Sequence, residues 1–227
     1  MTAGITRISI VVDEATRVSG LFQQPRDSKY CAVLAPGAGA GMEHPFGSAL
    51  ARELQNLGVA TLRYQFPSME RGRKRPDPPA LCHAAVRAAV AAARDLASGV
   101  PLFAGGKSFG GRMTSQAHAI RPLAGIHGLV FLGFPLHPPQ APSVARAAHL
   151  FEIRIPMLFL QGTRDAFASQ SGLLTTIKTL GSRASLKLLE GADHSFHVLK
   201  KSGRTDADVR AEMLSALMTW LADHLSP

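Results

Sequence analysis

Ser108, Asp165 and His194 are the residues whose types, order and surroundings could do chemistry together. Ser108 stands in Gly106-Lys107-Ser108-Phe109-Gly110, after the apolar run Val100-Pro101-Leu102-Phe103-Ala104. A serine held between a strand and a helix sits on a turn so tight that its neighbours two positions away must lack a bulky Cβ, and glycine fills both places. The helix that follows can aim backbone N–H groups and its positive dipole end at the serine oxygen. A serine nucleophile needs a base to take its proton, and the base needs an acid to orient it. Asp165, in Gly162-Thr163-Arg164-Asp165, follows an apolar strand expected at 155–161. His194, in Gly191-Ala192-Asp193-His194-Ser195-Phe196, follows a strand expected at 185–190. Each residue thus falls in a loop at the carboxyl end of its own strand. Asp193 reads as a turn residue, and His197, the local rival for the base, lies farther from the strand end. The developing oxyanion should be held by the N–H of Phe109 and by one from Pro36-Gly37-Ala38-Gly39, the loop after strand 31–35, with Ala38 the first choice and Gly39 the second.

Two phosphate-binding readings of the same residues fail. A P-loop ending in Gly106-Lys107-Ser108 needs glycine at 101, where Pro101 stands inside a strand. A dinucleotide loop starting at Gly37 needs its third glycine at 42, which is Met42, and no acid closes strand 59–64. No metal or cofactor is expected.

The elements around these loops alternate. Residues 5–12 and 16–22 read as a leading antiparallel pair of strands. Strand 31–35 leads through the glycine-rich loop to a helix opened by Pro45, carrying Phe46, Leu50, Leu54 and Leu57 on one face and closed by Gly58. Strand 59–64 and a long loop, 65–78, follow. Pro79 opens a second helix with Leu81, Ala85, Ala88, Ala89, Ala92 and Leu96 on its inner stripe and Gly99 at its end. After the serine turn come a helix from Phe109 to Ile120, strand 128–134, a short helix over 143–151 and strand 155–161. Helix 167–180 and strand 185–190 follow. A last helix starts near Thr205-Asp206-Ala207-Asp208, a capping-box-like start, and turns Leu214, Leu217, Met218, Leu221 and Leu225 inward. The pattern predicts an α/β fold: one domain over residues 1–227, with a mostly parallel sheet of about eight strands, helices on both faces and ligands beyond the carboxyl ends of the strands.

At 227 residues, with 46% hydrophobic and 18% charged residues, the composition is globular. No apolar run reaches the roughly 18 residues of a membrane span, and Met1-Thr2-Ala3-Gly4 enters a strand pattern with no signal-peptide core. Cys31 and Cys82 read as buried free thiols, which fits a reducing compartment and a cytoplasmic location. The formal net charge is +9. Much of it lies in Arg71-Gly72-Arg73-Lys74-Arg75, on the expected active-site edge beside Arg63, Lys107, Arg112 and Arg164, where clustered charge would concentrate an anionic ester. No aromatic residues interleave these cations, so nucleic acid is not an expected partner. His44 and His137 fall in loops on the same edge. Gly39, His44, Arg71, Arg73, Lys107, Arg112 and His137 are therefore candidates for contact with a small acyl substrate. Oligomeric state is not legible.

The order Ser, Asp, His, the elbow and the glycine-rich loop resemble the α/β-hydrolases over nearly the whole chain, in the dienelactone-hydrolase-like branch with a small or absent lid. Pro36-Gly37-Ala38-Gly39-Ala40-Gly41, Gly106-Lys107-Ser108-Phe109-Gly110-Gly111-Arg112, Phe134-Pro135-Leu136-His137-Pro138-Pro139 and Gly162-Thr163-Arg164-Asp165 resemble a group within it. The group includes bacterial predicted hydrolases, a testis-expressed vertebrate protein and a regulatory subunit of a histone-acetyltransferase complex. It commonly starts the oxyanion loop His-Gly, and this chain has Pro36 instead. The resemblance implies a serine hydrolase of the esterase or thioesterase kind. The alternative it leaves open is a catalytically weak scaffold that keeps the fold.

Overall fold

The computed structural model describes residues 4–225, so the expectation about Met1 to Ala3 lies outside the described residues. Eight strands form one sheet in the order β1-β2-β4-β3-β5-β6-β7-β8. β1 (Ile5–Val11) and β2 (Arg17–Gln23) are the antiparallel pair, and β2 joins β4 (Val59–Tyr64) antiparallel. β3 (Tyr30–Ala35), β4, β5 (Leu102–Lys107), β6 (Ile126–Leu132), β7 (Met157–Gly162) and β8 (Ala184–Leu189) run parallel. From β3 the chain order goes to β4 on one side and β5 on the other. That switch point is where open α/β sheets leave a crevice for ligand.

Helices cover both faces, because strands paired on both edges and continuously apolar must be buried on both sides. α1 (Pro45–Asn56) and α6 (Asp206–Leu225) pack on one face through Leu50, Leu54, Leu217, Trp220 and Leu221. α3 (Pro79–Leu96), α4 (Phe109–Ile120) and α5 (Gln170–Leu180) pack on the other. Thr205 caps α6: its Oγ1 accepts from the Asp208 N–H at 3.2 Å, and Asp208 accepts in return from the Thr205 N–H at 2.8 Å. Met218 in α6 is only half-buried, unlike its four leucine companions.

Several expectations need correction. The stripe on α3 is offset: Cys82, Ala85, Val86, Ala89, Val90 and Ala93 are buried, while Leu96 is 41% exposed. In an alanine-rich helix several stripes are almost equally apolar, and the two valines and the cysteine decide which face docks. The 65–78 segment is not all loop, since Pro67–Glu70 forms a single turn, α2, started by the preset φ of Pro67. The short helix expected over 143–151 is a 3-10 helix at Ala145–Glu152. Strand 128–134 is β6 at Ile126–Leu132, and helix 167–180 begins only at Gln170. Cys31 and Cys82 are free and buried.

Candidate active site

Ser108 links β5 to α4 with φ 50° and ψ −113°. A side chain rarely holds that backbone state, which costs about 1–3 kcal/mol and persists only where the surroundings enforce it. Here they do. A Cβ on Gly106 would lie 2.1 Å from the Ala35 carbonyl oxygen, and one on Gly110 would lie 2.4 Å from that of Pro36. The β3 loop and the β5–α4 turn are therefore pressed together, and the Ser108 N–H is anchored to the Leu132 carbonyl at 3.1 Å.

Three loops bring the side chains into one line. His194 Nε2 lies 2.8 Å from Ser108 Oγ, and His194 Nδ1 lies 2.7 Å from Asp165 Oδ2. A carboxylate can only accept, so Nδ1 carries the proton and Nε2 offers its lone pair to the serine. The Phe167 ring packs on the imidazole at a centroid distance of 4.3 Å. Asp165 is 6% exposed and fully engaged: Oδ2 also accepts from Gln161 Nε2 at 2.6 Å and Oδ1 from the Phe167 N–H at 2.8 Å. Gln161 itself is locked, with its Oε1 accepting from the Phe134 N–H at 2.8 Å. Sequence reasoning missed Gln161, although a lone amide in the apolar run of β7, four residues before the acid, is a readable signal. Asp193 is a turn residue, its Oδ1 accepting from the Ser195 and His197 N–H groups. His197 meets Asp206 at 3.0 Å, away from Ser108.

Gly37 O accepts from the Ala40 N–H at 3.1 Å. That turn leaves the N–H groups of Ala38 and Gly39 outside its own hydrogen bond. Ala38 lines a cavity of about 380 Å³ that also contains Ser108 and His194 in its wall, whereas Gly39 does not. Phe109 starts α4, where the first N–H groups have no partner within the helix. The cavity wall is mostly apolar, with Leu34, Met42, Phe46, Leu50 and Leu132 prominent.

The remaining candidates separate. His44 lines the cavity and caps α1, its Nδ1 accepting from the Phe46 N–H. Arg71, Arg73, Arg112 and His137 are not in the wall. Arg71 pairs with Asp77, and Arg73 reaches the same carboxylate at 3.6 Å, so part of the loop's charge is spent internally. Arg112 lies over the Phe109 ring. His137 is buried, accepting from the Ser169 N–H at 2.8 Å and lying 2.7 Å from the Pro138 carbonyl. Arg164 donates to the Gly191 carbonyl.

Lys107 borders the cavity, but its ammonium turns beneath the histidine. Nζ donates to the His194 carbonyl and lies 5.0 Å from the Phe196 ring centre. A Cβ on Gly133 would sit 3.0 Å from this Nζ, 3.4 Å from Asp165 Oδ2 and 3.5 Å from His194 Nδ1, which shows how closely the three groups converge. Burial pulls the ammonium down to about 8, against the opposing pull of Asp165 and Asp193. Between pH 8 and 9 the native ammonium loses its proton while an unfolded lysine, near 10.5, keeps it. At this site the unfolded chain then binds more protons, so the contribution of Lys107 to unfolding free energy rises with pH, by about 1 kcal/mol, or about 2–4 °C in Tm. Cys31 and Cys82, pushed by burial from 9.0 up to about 12 and about 11, act in the opposite sense over the same interval, because their unfolded thiols already lose protons there, and they offset much of this rise. From pH 8 to 9 the change in Tm should be about 2–4 °C more positive in the wild type than in Lys107→Met, which keeps both cysteines. Equal slopes would contradict it.

Among the described residues, no group of three or more His, Cys, Asp or Glu could hold a metal ion, and no helix is long and apolar enough to cross a membrane.

The sequence profile of an alpha/beta hydrolase domain matches residues 28–222. Among solved structures, a dienelactone hydrolase from Anabaena variabilis superposes with a TM-score of 0.76 at 17% identity, covering 99% of each chain. An α/β serine hydrolase homologue from Coxiella burnetii superposes at 0.73 and 18%, covering 96% of this chain and 98% of its own. A lidless α/β serine hydrolase from Xanthomonas campestris gives 0.73 and 18%, covering 97% and 96%. At these identities the likeness is one of fold.

Proposed function

The chain belongs to the alpha/beta hydrolase domain family, and we propose that within it the protein is a serine hydrolase cleaving small ester or thioester substrates. The observation that carries this reading is Ser108 Oγ at 2.8 Å from an imidazole whose far nitrogen is held by a buried carboxylate. Fold alone would not carry it, since one fold hosts many chemistries.

Ser108 Oγ attacks the acyl carbon while His194 Nε2 takes its proton. The N–H groups of Phe109 and Ala38 receive the oxyanion; a single such donor is worth about 100–1000-fold in rate. His194 then protonates the leaving group, and an acyl-Ser108 intermediate remains. Water, deprotonated by the same imidazole, releases the acid. Asp165 keeps Nδ1–H in place and stabilises the imidazolium without taking its proton. Both oxyanion donors are backbone groups, so Pro36 in place of a histidine leaves this chemistry intact. The apolar wall suits a short acyl group, and no cofactor enters any step.

The motifs around Ser108 and Asp165 are our reason for siding the chain with the group that includes the testis-expressed protein and the histone-acetyltransferase subunit. Buried free Cys31 and Cys82 favour work in a reducing compartment. The test is a panel of p-nitrophenyl esters from acetate to octanoate. We expect turnover that peaks at short chains. A folded protein that turns over none of them would favour the scaffold alternative.

A further inference from the structure

Arg63 is the charge in the cavity wall that the catalytic reading leaves without a task. It lies on β4 in register with Leu34 of β3, which pairs in turn with Gly105 of β5. It is 4% exposed. Both of its side-chain hydrogen bonds run from Nη1, to the Met42 carbonyl at 2.9 Å and to Ser48 Oγ at 2.8 Å. A guanidinium has five N–H donors. Nε is buried without a partner, and among the described residues Arg63 makes no ion pair. The acid acting on it, Glu43, is already held by Arg7 at 2.7 Å, and Arg52 adds a like charge. A buried cation with unused donors and no counter-ion is costly, and an arginine stays charged even when burial lowers its pKa.

What surrounds it is also electropositive. Arg63, His44, Phe46 and Gly47 share the cavity wall, so the first turn of the 12-residue α1 faces the same space. The positive end of that helix favours an anion. The rest of the wall is apolar. Two strand spacings separate β4 from β5, about 10 Å across the sheet, and Arg63 and Ser108 line the same mostly apolar cavity.

We propose that Arg63 binds the distal carboxylate of the acyl group, and that the preferred substrates are half-esters or half-thioesters of short dicarboxylic acids. This rests on the hydrolase reading above. Nη1 is spent on Met42 and Ser48 and Nε is shut off by burial, so Nη2, with its two N–H donors, is the atom left to meet the carboxylate. It also shifts the source of anion preference from the exposed 71–75 loop, whose Arg71 and Arg73 pair with Asp77, to a buried group inside the cavity.

The experiment compares p-nitrophenyl half-esters of malonic to adipic acid with neutral p-nitrophenyl esters of equal length. In the wild type, kcat/KM for the best half-ester should exceed that of its neutral counterpart at least tenfold, mostly through KM, and free glutarate should compete with it. Arg63→Met should erase the preference and Arg63→Lys should keep part of it. The wild-type comparison and glutarate competition need no variant, so a misfolded Arg63→Met leaves the test standing. Equal turnover of both series, without glutarate competition, overturns the proposal while leaving the hydrolase reading intact. Absence of all turnover, with no labelling of Ser108 by a fluorophosphonate, brings down the reading and the proposal together.

Discussion

Ser108→Ala should lower ester hydrolysis by about 10,000- to 1,000,000-fold while leaving the fold intact. The change removes one oxygen. The main-chain anchor to the Leu132 carbonyl stays, and the glycines that admit the turn are untouched. The elbow is as strained for alanine as for serine, so the melting temperature should move little. Without Oγ there is no acyl-enzyme, and only the oxyanion donors and substrate positioning remain to act on water. The reading is the rate on the best ester of the panel, with far-ultraviolet circular dichroism as the folding control. Residual turnover within tenfold of the wild type would mean that the hydrolysis happens elsewhere.

Asp165→Asn should cost about 1,000- to 10,000-fold in kcat with a much smaller change in KM. Three donors converge on this carboxylate: His194 Nδ1–H, Gln161 Nε2 and the Phe167 N–H. Asparagine has one acceptor oxygen and an NH2 group that cannot face a donor. The oxygen can serve the Gln161 side or the Phe167 side, and wherever the NH2 meets Nδ1 it demands a lone pair there. The imidazole then carries its proton on Nε2, and the nitrogen facing Ser108 can no longer act as base. Substrate still binds, because Asp165 is not in the cavity wall. Steady-state kinetics of the variant separate the two constants. A KM-dominated loss would point to a binding role instead.

How much of this could be read from the chain depends on how local each feature is. Ser108, Asp165 and His194 were legible because each stands where an apolar strand run gives way to a loop, and a parallel sheet gathers such loops at one edge. The Phe109–Ile120 helix and the capped start of α6 were legible for the same reason, as their signals lie within a few residues. The docking face of α3 was not, because alanines mark several stripes equally and the sheet chooses among them. Gln161 and Lys107 act through partners 4 and 87 residues away. Neither spacing nor composition says that an amide will hold the acid or that an ammonium will sit under the histidine carbonyl. Arg63 showed only as one of the charges flanking the basic edge. Its unused donors exist only once α1 and the 41–44 loop close over it. The 71–75 run drew attention because charge is visible in sequence, whereas its pairing with Asp77 is not.

The central claim is that Ser108 is a nucleophile activated by His194. A fluorophosphonate probe, followed by peptide mapping, tests it most directly. The adduct should form on Ser108 alone, vanish in Ser108→Ala, and slow by orders of magnitude in His194→Ala. A folded wild-type protein that takes up no label, or one labelled equally well after Ser108→Ala, would contradict the account.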